Sequence, residues 1–176
     1  MALARVYNVD TNLGTGISLG TGGVSGTEYV LMYGVAGAGV EFNISAVRIG
    51  LYSLSSAAYP TNGSITFSLR PVSSTLSGIL VGTGTAKIIG QSTTAAASSW
   101  IYSTANGSGT GTFATMTTAP LWVQTLPCTA GANWGEWFTP GFELNQAPSG
   151  TLALTSRLSN GTVSGVNVIP ELVISE

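Results

Sequence analysis

The sequence predicts an all-β protein: a jelly-roll-like antiparallel β-sandwich of about eight to ten short strands with almost no helix. Three observations predict it. Apolar residues recur with period two in short runs, the signature of half-buried strands. No window carries the i, i+3, i+4, i+7 spacing of an amphipathic helix. The runs are bounded by Gly, Pro, Ser and Asn-Gly, which punctuate chains at turns.

Taken in order, Leu3, Arg5, Tyr7 and Val9 alternate against Ala4, Val6 and Asn8, a first strand. Thr11 to Thr27 (TNLGTGISLGTGGVSGT) is Gly-rich, has no core-forming period, and reads as an arm or connector. Its apolar residues Ile17, Leu19 and Val24 are candidates for adding a strand to an open edge of a neighbouring subunit. The expected organisation is therefore a strand and arm over 1–27 and one sandwich domain over 28–176. On that division, a chain lacking 1–27 keeps its fold and loses assembly. Glu28 to Val35 (EYVLMYGV) is an apolar run of strand length. In Val40 to Leu51, Val40, Phe42 and Ile44 hold one phase, and Val47, Ile49 and Leu51 hold the other. A one-residue phase change near Ser45 or Ala46 is what a β-bulge produces. Ser55 to Tyr59 has room for one helical turn at most. Pro60-Thr61-Asn62-Gly63 is a turn, and Ile65, Phe67 and Leu69 alternate strictly up to Pro71. Short strands follow at Ile79–Val81, Thr85–Ile89, Trp100–Tyr102, Phe113–Thr118 and Leu121–Thr125. The aromatic segment from Ala132 to Leu144 leads to a strand at Thr151–Thr155. A last run, Val163–Val173, is interrupted by Pro170.

Composition excludes more than it assigns. The chain has no His, one Cys (Cys128), one Asp (Asp10) and one Lys (Lys87), and only 7% of its 176 residues are charged. General acid–base chemistry and most metal sites draw on these residue types, so an enzyme, a metal centre and a cofactor are not expected. Five scattered basic residues and a net charge of −2 cannot neutralise a phosphate backbone, which excludes sequence-independent nucleic-acid binding. No apolar stretch reaches the ~18 residues that span a bilayer. The start has no basic segment ahead of an apolar one, so no signal peptide and synthesis in a reducing cytoplasm are expected. Sequons at Asn43, Asn62, Asn106 and Asn160 are what chance gives in a chain this rich in Ser and Thr.

Few constellations remain. Glu136 and Glu143 lie in WGEWFTPGFEL, where a glycosidase would place paired carboxylates beside aromatic rings; two exposed carboxylates around a Pro-Gly turn is the reading we favour. Cys128 has no His to act as its base and reads as a small buried apolar residue. The Gly-rich stretches lack the Gly-Lys-Ser/Thr of a phosphate loop. Trp100, Tyr102, Trp122, Trp134, Trp137 and Phe138 gather in the central part of the chain. They fit three roles: sandwich core, a protein interface anchored on aromatic residues, or a platform for stacking sugar rings.

The order AVRIGLY … NGSITFSLRPVSS … GILVGTGTAKI … GEWFTPGFEL … SGTLALTSRLS, over about residues 40 to 176, resembles generic jelly-roll sandwiches. Such sandwiches serve as carbohydrate-binding modules, appendage domains and viral coat parts. The lone Cys, the scarcity of charge and the Gly/Thr/Ser/Ala bias are similar to tailed-bacteriophage virion proteins, especially capsid decoration (cement) proteins. That resemblance implies a non-enzymatic virion protein, made in the host cytoplasm, that forms homo-oligomers and seals a shell of major capsid protein. It transfers no site residue. The alternative is a carbohydrate-binding module, adhesin or tail-associated domain that holds glycans on exposed Trp and Tyr.

Overall fold

The run with the sharpest alternation becomes the spine of a sheet. In the computed structural model, β4 (Phe42–Ala58) lies beside β13 (Ser164–Ser175), and Phe42, Ile44, Val47, Ile49 and Leu51 are all buried. The phase change is a bulge: Ile174 pairs with Ile44, but Val173 pairs with Ala46, so Ser45 has no opposite number. Its Oγ donates to the Val173 carbonyl at 3.3 Å. The bulge keeps Ile44 and Val47 on the core face although they are three residues apart.

The structure describes residues 5–11, 17–18, 28–58, 63–71, 83–85, 87–90, 96–103, 119–127, 134–138, 144–146, 151–158 and 164–176. They form thirteen strands and no helix, in two antiparallel sheets. The remaining strands are β1 (Val6–Asp10), β2 (Ile17–Ser18), β3 (Glu28–Val35), β5 (Ser64–Pro71), β6 (Thr83–Thr85) and β7 (Lys87–Gly90). After them come β8 (Ser99–Ser103), β9 (Trp122–Pro127), β10 (Trp134–Phe138), β11 (Leu144–Gln146) and β12 (Thr151–Leu158). One sheet runs β10-β4-β13-β1-β7, with β11 also on β4 and β2 also on β13; the other runs β6-β8-β3-β12-β5-β9.

Strand length departs from the expected short elements. β4 has 17 residues and β13 has 12. The segment from Ser55 to Ala58, expected to hold at most a helical turn, continues β4 as strand. Pro170 does not interrupt β13 either. It lies in mid-strand, which is unusual because proline cannot donate to a ladder. Pro170 is paired with Ile49 of β4; on the other lane Asp10 of β1 stands opposite Glu171, and Ile17 of β2 opposite Val168.

The N-terminal strand belongs to the sandwich. β1 pairs with β13 on one side and β7 on the other, and Tyr7 and Val9 are buried. Ile17, a candidate for reaching a neighbour, is 1% exposed and paired with Val168 of its own chain. The sheet therefore runs across the expected boundary at residue 27, and the strand expected to be shared between subunits is held within one. Leu19 and Val24 lie outside the described residues.

β3 and β12 are buried on both faces rather than one, which explains why EYVLMYGV reads as a continuous apolar run. A turn over Gly37–Val40, closed by Val40 N–H to Gly37 carbonyl at 3.1 Å, leads into β4. Gly39 there has φ of 73°, a left-handed conformation that costs other residues strain. The sheets face each other over one core, and rings cross it. Phe42 meets Trp100 at 5.3 Å between centroids, and Trp122 meets Phe138 at 5.9 Å. Each fully buried Leu, Ile, Val or Phe in this core contributes about 1.5–3 kcal/mol.

Candidate functional surfaces

Two of the aromatic candidates are core residues. Trp100, on β8, is 1% exposed, and Tyr102 is 8% exposed. Neither can serve as a surface platform, which corrects the interface and sugar-stacking expectations for this pair. β3 makes room for the indole with Gly34, which lies directly opposite Trp100. A Cβ on Gly34 would stand 2.5 Å from the ring carbons. The indole Nε1 donates to Ser98 Oγ at 3.2 Å, so its polar atom is satisfied inside the core. Gly34→Ala is therefore expected to destabilise the fold by about 1–3 kcal/mol through overpacking. Chemical denaturation checks this, and an unchanged midpoint would show that the indole has space to yield.

Trp122 and Phe138 are half-buried and pack on each other from β9 and β10, closing the sandwich between its two sheets. Trp134 and Trp137 stand opposite Leu51 and Arg48 in register, and Glu136 stands opposite Ile49. Glu143 and Cys128 lie outside the described residues. Among the described residues no group of three or more His, Cys, Asp or Glu could hold a metal ion. No helix among them is long and apolar enough to cross a membrane.

Five charged residues tie strands together. Arg48 Nη1 on β4 donates to Glu171 on β13 at 2.6 Å, straight across the ladder. Arg70 Nε on β5 donates to Glu28 Oε1 on β3 at 2.7 Å, spanning β12. On β12, fully buried Thr155 donates its hydroxyl to the same carboxylate oxygen. Glu176 closes the molecule. Its backbone exchanges hydrogen bonds of 2.9 and 3.0 Å with Arg5, and its carboxylate accepts the N–H groups of Ala97 and Ser98 at 2.7 and 2.9 Å. One residue thus links β13's sheet to the segment that enters β8 and carries Trp100. None of these pairings was legible in advance, because each joins residues distant in sequence.

The two ion pairs differ in exposure: side chains of Arg48 and Glu171 are 40% and 21% exposed, those of Arg70 and Glu28 are 19% and 16%. Arg48→Ala is expected to cost about 0.2–1 kcal/mol, as exposed pairs do. Arg70→Ala should cost more, about 1.5–3 kcal/mol, because it strips a charged hydrogen bond from a largely buried carboxylate. Denaturation of the two variants side by side tests the ranking, and equal losses would contradict it.

Comparison with protein-family models, with curated proteins and with solved structures gives no match.

A surface feature lies on β9 and the residue just before it. Leu121 is 37% exposed and Val123 is 49% exposed, and Thr125 beside them is exposed as well. Trp122, Gln124 and Leu126 alternate with them and are more buried. β9 pairs with β5 on one side, where Thr66 and Thr125 share a hydroxyl hydrogen bond of 3.0 Å. No described strand pairs with its other side. The signal was present in sequence as Leu121-x-Val123-x-Thr125, but alternation alone does not say which phase faces out.

Proposed function

We propose that this chain is a non-enzymatic structural protein of a virion, of the capsid decoration type, working through contacts between copies of itself and with a shell of major capsid protein. The observation that carries the reading is where the charge is spent. Of twelve charged residues, five (Glu28, Arg48, Arg70, Glu171 and Glu176) hold strands of the sandwich together. That is what a protein needs when its task is to persist and to pack. Burial of Trp100 and Tyr102 counts against the glycan platform, which needs exposed rings.

On this reading the sandwich is a jelly roll. Successive strands β3, β4 and β5 alternate between the sheets, and the late strand β12 inserts between β3 and β5, the kind of return that Greek-key sandwiches use. A surface poor in charge gives little repulsion between copies, so many weak contacts repeated by symmetry can add up.

Co-sedimentation of the purified chain with phage shells lacking it, followed by electron microscopy, and immunogold labelling of virions with antibody against the purified chain, test the proposal. Dense, regular labelling over the shell is expected. Labelling confined to tails, or absent from every particle, would contradict it.

A further inference from the structure

We infer that the Glu176 carboxylate is a latch: it holds the β6–β8 end of one sheet shut against the other sheet, and that end opens as a unit when the latch is released, ahead of the rest of the fold. The two side-chain oxygens take separate donors. Oε2 accepts the Ala97 N–H at 2.7 Å and Oε1 accepts the Ser98 N–H at 2.9 Å. A carboxylate held by two successive backbone N–H groups makes charge-assisted bonds, stronger than the neutral bonds of a ladder. The arm of the latch is itself fixed, because the Glu176 backbone exchanges hydrogen bonds with Arg5 beside β1. The held segment is backed by Gly37, where a Cβ would stand 2.7 Å from the Ala97 carbonyl oxygen. Ser98 carries the hold into the core: its N–H goes to Glu176, and its Oγ accepts the Trp100 indole N–H at 3.2 Å.

The strand behind this latch is lightly held by its neighbours. β8 meets β3 over Ser99–Tyr102 and meets β6, a strand of three residues, over Ile101–Ser103. Cross-strand side-chain pairs stabilise a sheet, yet Trp100 faces Gly34 and Tyr102 faces Gly84. β12, by contrast, is paired along its length with both β3 and β5. Proteins open locally in contiguous units, and the unit with the fewest lateral holds opens first. Opening here uncovers Trp100 and the Phe42 ring it meets at 5.3 Å, both fully buried in the closed state. Glu176 therefore sets the population of a state that presents an aromatic surface the closed sandwich hides.

The latch stands independently of the assembly reading. Hydrogen exchange followed by NMR on the full chain tests it. In Glu176→Ala, exchange at the amides of Trp100, Ile101 and Tyr102 and at the Trp100 indole N–H should rise at least about tenfold, because two charge-assisted hydrogen bonds are lost. The amides of β5 and β12 should exchange as in the unmodified chain. Glu176→Gln keeps one acceptor oxygen and loses the charge, so its β8 exchange should fall between the two. Arg48→Ala, which removes the other side-chain bond that β13 makes through a carboxylate, should leave β8 exchange unchanged. A rise spread evenly over both sheets in Glu176→Ala would show a contribution to global stability only and overturn the latch. Unchanged β8 exchange in Glu176→Ala, or Glu176→Gln matching the unmodified chain, overturns it as well.

Discussion

A chain lacking residues 1–18 is expected to lose its cooperative fold. β1 is paired on both sides, so its removal splits β7 from the sheet and bares a flank of β13. Tyr7, Val9 and Ile17, at 2%, 0% and 1% exposure, leave the core with it. Side chains of this kind contribute about 1.5–3 kcal/mol each when fully buried, against a total stability of about 5–15 kcal/mol for a typical domain. Arg5 goes too, and with it both backbone bonds to Glu176. Circular dichroism melting of the truncated chain measures the effect. A broad, non-cooperative transition is expected, whereas a sharp melt at the original temperature would mean that the N-terminal strand is dispensable.

Trp100→Ala is expected to cost about 3–5 kcal/mol, the range for emptying a large aromatic site. Trp100 is the largest fully buried side chain among the described residues, and its neighbours are poorly placed to collapse into the void. Gly34 has no side chain to move, and Phe42 already lies in contact with the ring at 5.3 Å. The variant also strands Ser98 Oγ, which accepts the indole N–H. Urea denaturation reads the loss directly. A cost below about 1 kcal/mol would place the indole outside the packed core, since surface substitutions fall in that range.

Local pattern carried the fold class, and several elements came through residue by residue. Glu28 to Val35 is β3 with the bounds its apolar run suggests, and the bulge at Ser45 follows from two out-of-phase apolar sets. What sequence hid was pairing. β1 is legible as a strand from Tyr7 and Val9. That it lies inside a sheet depends on β13, whose Ile174 stands opposite Tyr7 from the other end of the chain. The glycines after Asp10 suggested a free arm, yet Ile17 pairs with Val168 of β13. Pro170 misled as well: read as an interruption, it lies inside β13 and is paired with Ile49 of β4. The aromatic group divided in the same way. Nothing in the spacing of Trp100 and Tyr102 reveals that glycines on the neighbouring strands, Gly34 and Gly84, stand across from them.

Native mass spectrometry of the full-length chain tests the central claim, that this sandwich is built to associate with its own kind, most directly. The account predicts a discrete oligomer at a whole-number multiple of the 17.8 kDa chain mass. A single-chain mass that persists across the whole accessible concentration range would contradict it.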